Sequence, residues 1–97
     1  MKLTLDVENT VTQRDGKMHL DPFESNNSLV MVGMLTDQGV ERVVTIDHSE
    51  VEADDGGHVL IQEFLDATTV LICHNAAYDL LWLWESGFKY DGPVFDT

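Results

Sequence analysis

Ninety-seven residues allow one small domain with a modest core, and no apolar run reaches the roughly 18–20 residues of a membrane span. The first residues also lack the long apolar stretch and small-residue cleavage site of a signal peptide, so the expected location is cytoplasmic, away from membranes. Five basic against eighteen acidic residues give a net charge of −13, which repels nucleic acid at long range, and a single cysteine, Cys73, excludes an internal disulfide.

Residues 3–7 read as a strand, with Leu3, Leu5 and Val7 on one side and Thr4, Asp6 and Glu8 on the other. Residues 9–27 are polar and carry Gly16 and Pro22, which predicts a long loop or irregular excursion with at most a short turn of structure. "SLVMVGML", residues 28–35, is apolar enough for a central strand. Asp37-Gln38-Gly39 signals a turn, and "VERVVTI", residues 40–46, continues as the antiparallel partner. An acidic loop ends in Asp54-Asp55-Gly56-Gly57. Residues 58–67 then place Leu60, Ile61, Phe64 and Leu65 on one side of a helix whose start the preceding aspartates can cap.

"TTVLIC", residues 68–73, is β-branched and continuously apolar, as in a strand buried on both faces; Cys73 inside it reads as an inert buried thiol. "HNAAYDLLWLWES" follows as a second helix, with Asn75 at its start and Gly87 as its stop. Val94-Phe95 can begin a further strand. A right-handed crossover through the first helix makes the fourth strand parallel to an earlier one. The simplest sheet is a meander of strands one to three with strand four added beside strand one. The carboxyl ends of strands one and four then adjoin, where open α/β sheets bind ligands.

Asp6 and Glu8 lie at one of these ends, and Asp79 one turn beyond the other. Taken alone, each motif has a plain structural account: D-x-E as a solvated strand end, Asn75 as a cap and Asp79 as a favourable first-turn anion. Together, three carboxylates with no basic residue nearby in sequence form either a proton-sharing cluster or a divalent-cation site. Hard oxygen ligands suit Mg²⁺ or Mn²⁺, and two such ions about 4 Å apart stabilise both oxygens of a phosphoryl displacement.

"LDVEN" followed by "CHNAAYDLLWL" resembles the first two motifs of the DnaQ-like, or DEDD, 3′–5′ exonucleases. The nearest type is the N-terminal proofreading domain of phage-type family A DNA polymerases. Asp21-Pro22, Asn27 before the second strand and Asp96-Thr97 extend the resemblance along the chain. It implies an α/β, RNase H-like mixed sheet, with strands 1–3 antiparallel, strand 4 parallel to strand 1, and the fold incomplete at its C-terminal end. Asp6, Glu8 and Asp79 become catalytic metal ligands, and Val7, Asn9, His74 and Asn75 substrate contacts. Asn9 stands where many relatives carry Thr. The implied cofactor is a pair of Mg²⁺ or Mn²⁺ ions, and the implied substrate the single-stranded 3′ end of DNA.

The third motif of that family, a carboxylate with a Tyr or His on a later helix, has no counterpart before Thr97, and neither Asp91 nor Asp96 has the required context. Residues 1–97 thus read as the front part of an exonuclease domain. The fragment is expected to be inactive alone, to precede a polymerase segment, and to self-associate through apolar surface. An alternative from another class is a non-catalytic acidic module with a vestigial metal site.

Overall fold

The computed structural model describes residues 1–24 and 26–97. The alternation of the opening residues is realised in β1, Lys2–Asn9, where Leu3, Leu5 and Val7 are buried and Lys2, Thr4, Asp6 and Glu8 are exposed. β1 pairs antiparallel with β4, Leu29–Thr36, placing Asp6 opposite Gly33 and Glu8 opposite Met31. β4 pairs antiparallel with β5, Glu41–Thr45. In the turn between them the Thr36 hydroxyl oxygen accepts from the backbone N–H of Gln38 (3.3 Å) and of Val40 (3.1 Å).

Helix α1, Gly57–Asp66, crosses to β6, Val70–Cys73, which lies parallel to β1 with Leu3 opposite Leu71. Helix α2, Ala76–Glu85, leads to β7, Val94–Asp96, parallel to β6. The sheet order is β5-β4-β1-β6-β7. This is the mixed α/β, RNase H-like arrangement expected from the sequence, with the fourth long strand beside the first.

The apolar sides of both helices fall on one face of the sheet. Ile61 and Leu65 of α1, and Trp82 and Leu83 of α2, share one buried cluster with Leu3, Leu5, Val32, Val44 and Leu71. Each such side chain contributes about 1.5–3 kcal/mol by leaving water. Helix α2 stops as its Gly87 promised. Gly87 adopts φ +92°, its N–H bonds Trp84 O at 3.1 Å, and the buried Phe88 donates to Leu83 O at 2.9 Å, a Schellman ending.

The opposite face is bare. Register puts Leu35 beside Thr4, Val43 in the row of Asp6 and Gly33, and Phe95 beside Ile72. Leu35, Val43 and Phe95 are 45%, 58% and 61% exposed.

Two local expectations differ. Residues 9–27 hold a two-stranded hairpin, β2 (Thr12–Arg14) and β3 (Lys17–His19), rather than a loop alone. Its turn is Asp15-Gly16, with φ of 52° and 76°; positive φ at both central positions is the Asp-Gly hairpin signature. The aspartates before α1 do not cap it. The cap position is Gly56, and Asp54 instead accepts from the Thr45 N–H at 2.8 Å. That bond folds the loop back on β5 and brings α1 so close that a Cβ on Gly57 would stand 2.8 Å from Val44 Cγ1.

Candidate active site

The pairing of β6 with β1 covers Lys2, Leu3 and Thr4 only. Beyond it β6 ends at Cys73, the chain turns through His74 and Asn75, and β1 runs on to Asp6 and Glu8 without a parallel neighbour. The carboxyl ends of the two central strands thus part at one rim of the sheet. Helix α2 starts at this rim and carries Asp79 in its first turn.

Asp79 is only 2% exposed, and its Oδ2 is a buried oxygen without a hydrogen-bond partner. A helix N-terminus favours an anion. Burial nevertheless wins, and together with the negative charge of Asp6 it pushes the Asp79 carboxyl up to about 6. Hydrogen bonding from the Val7 backbone and the Cys73 thiol opposes the shift, while Asp96 adds to it. The fully buried Cys73 thiol is itself pushed up to about 12 by burial and by the charge of Asp79, which fits the inert thiol expected there.

The structure therefore brings Asp6 and Asp79 within electrostatic reach of each other. Glu8 sits on the same exposed side of β1 as Asp6. Among the described residues no three His, Cys, Asp or Glu side chains are gathered closely enough to enclose an ion. The donor chemistry still suits a hard cation. Asp79 offers a buried, unpartnered carboxylate oxygen, Asp6 lies nearby in solvent, and the one ion pair among the described residues, Arg14 with Glu24 at 2.7 Å, engages neither.

The four expected substrate contacts have different surroundings. Val7 is buried in the core cluster. The Asn9 amide is committed internally. Its Nδ2 donates to Thr10 O at 2.7 Å and Leu20 O at 3.1 Å, and its Oδ1 accepts from the Tyr78 hydroxyl. His74 is exposed, with Nδ1 3.3 Å from Thr97 Oγ1. Asn75 is exposed and takes the left-handed conformation, φ 68° and ψ 64°, with no side-chain cap bond.

Two roles were not read from the sequence. Asp96 does the capping that Asn75 was expected to do. Its Oδ1 accepts from the backbone N–H of Asn75 at 2.9 Å and of Ala76 at 3.1 Å. The available signal was an Asp closing a short strand parallel to β6, because parallel neighbours end at the same rim. The second feature is a clasp. Trp82 Nε1 donates to Leu20 O at 3.2 Å, so α2 and Asn9 hold the end of the hairpin through one carbonyl.

No protein-family model matches this sequence, and no curated protein matches it. The fold is similar to part of the family B DNA polymerase from the hyperthermophilic archaeon Pyrobaculum calidifontis, with a TM-score of 0.58 and 23% identity. The likeness covers 87% of this chain and 10% of that polymerase. It is a likeness of fold, and the polymerase is of family B, whereas the sequence motifs resemble the family A type.

Proposed function

We propose that the chain is the front part of a metal-dependent 3′–5′ exonuclease of the DnaQ-like type that hydrolyses nucleotides from a DNA 3′ end. The observation that carries this reading is Asp79: a buried carboxylate with an unpartnered oxygen, in the first turn of α2 and within the field of Asp6. A polymerase-related fold is compatible with a proofreading role.

Asp6, Glu8 and Asp79 would hold Mg²⁺ or Mn²⁺, which when bound supplies charge stabilisation for attack on a phosphodiester. The chain's own contribution is placement. β1 presents Asp6 and Glu8 on one side. α2 carries Asp79 buried in its first turn. Nothing cationic offsets the cluster, so a divalent ion is the group that relieves its repulsion. The basic surface needed to grip phosphates would come from an adjoining segment, such as a polymerase.

A second reading, an acidic module whose acids no longer bind metal, draws on the absence of a closed ligand group among the described residues. Mn²⁺ titration separates the two. On the nuclease reading, millimolar Mn²⁺ raises Tm, since a ligand that binds only the folded state stabilises it, and Asp6→Ala or Asp79→Asn abolishes the rise. An equal Tm with and without metal, in wild type and variants alike, favours the module.

A further inference from the structure

We infer that Asp96 is a positioning residue: its carboxylate, delivered by β7, clamps the first turn of α2 and so sets where the buried Asp79 stands at the rim of the sheet. Three observations lead there.

The first is that α2 has no local cap. Asn75 is left-handed, and its side chain makes no cap bond. The leading N–H groups of a helix need an acceptor, and here one oxygen of Asp96, 20 residues further on, takes both Asn75 and Ala76. The second is that the clamp is braced. Thr97 N–H donates to Cys73 O at 2.9 Å, and its hydroxyl lies 3.3 Å from His74 Nδ1, so the residue after Asp96 grips the two residues before Asn75. The third is that the held turn is the one that bears Asp79, whose N–H bonds Asn75 O at 3.3 Å. Releasing Asn75 releases that bond's acceptor, and the buried carboxylate with it.

Asp96 acts through α2, as the acceptor for the Asn75 and Ala76 N–H groups. For its metal arm the inference rests on the proposed function, whereas its structural arm stands without it.

The test uses the 97-residue chain, wild type, Asp96→Ala and Asp96→Asn. Asn keeps the oxygen acceptor and removes the charge, so the two variants separate clamp from charge. In metal-free protein, Asp96→Ala moves the Asn75 and Ala76 amide protons upfield and shifts the Asp79 ¹³Cγ resonance, while the β1–β4 ladder signals stay in place. Asp96→Asn stays near wild type. In Mn²⁺ titrations Asp96→Ala weakens binding by about ten-fold, the usual scale for a residue supporting a metal ligand, and Asp96→Asn recovers most of it. Equal weakening by both variants reduces Asp96 to a distant charge and overturns the inference, as do unmoved Asn75, Ala76 and Asp79 signals in Asp96→Ala. Wild type that binds no Mn²⁺, with the amide and ¹³Cγ shifts still seen in Asp96→Ala, counts against the proposed function and for the clamp.

Discussion

Asp79 is the residue on which the site turns, and its chemistry makes stability depend on pH in an unusual direction. Its folded-state carboxyl is raised from 3.8 to about 6, so between those values the native chain holds a proton that the unfolded chain has lost. The contribution is complete below about pH 4 and is lost as pH rises through 6, by on the order of 2–3 kcal/mol. Asp79→Asn mimics the protonated acid. In metal-free buffer the variant is expected to be the more stable protein at pH 7 and to match wild type near pH 4, read from urea midpoints. A gap of the same size at both pH values would mean that ionisation of Asp79 is not the cause. On the proposed function, the same substitution is expected also to abolish the rise in Tm with Mn²⁺, so that one side chain would carry opposite effects with and without the ion.

At the scale of elements, close approaches and turns decide. Gly57 lets α1 lie against Val44, whose branched side chain has little freedom to move. Gly57→Ala places a methyl group 2.8 Å from Val44 Cγ1 and is expected to cost about 1–3 kcal/mol. Adding Val44→Ala makes room and reverses part of the clash, a coupling that a double-mutant cycle measures. The elements whose signals are periodic were legible in the sequence. These are the alternation of β1, the apolar run of β6, and the helical spacing of Leu60, Ile61, Phe64 and Leu65. What escaped had a different kind of signal. The β2–β3 hairpin is announced by two residues, Asp15-Gly16, inside strands too short and polar to show a period. The capping of α2 escaped because its acceptor is 20 residues away, and a contact made through the sheet leaves no mark in local spacing. The neighbouring of β1 and β6 was legible as a meeting of strand ends, with Asp6 on one and Asp79 one turn beyond the other. How Asp79 is buried, and what it faces, depends on packing that no spacing encodes.

At the scale of the molecule, net charge and bare sheet oppose each other. Eighteen acidic residues against five basic ones repel within and between chains. Leu35, Val43 and Phe95 on the uncovered face attract by the hydrophobic effect. Screening falls on the first term alone. Raising NaCl from about 0.01 M to about 0.5 M, over which the Debye length shrinks from about 30 Å to a few Å, is therefore expected to raise Tm and to drive monomers into larger species in sedimentation velocity. Leu35→Lys with Val43→Lys should block the association and leave the rise in Tm. Association that survives those changes would place the contact elsewhere.

The position of β1 also governs the order of assembly. It precedes the other strands of the sheet in chain order, yet it lies third in the sheet, between β4 and β6. Its left-hand neighbour arrives some thirty residues later and its right-hand neighbour nearly seventy, with Thr69 closing on Met1 at 2.7 Å. The β4–β5 hairpin, by contrast, closes over a few residues and can form quickly. The central strand is thus the guest of elements made after it. Such long closures are slow to form, so Asp6 and Glu8 lie on an unpaired strand until β4 docks, and the rim that carries Asp79 is complete only once β6 has joined Lys2, Leu3 and Thr4.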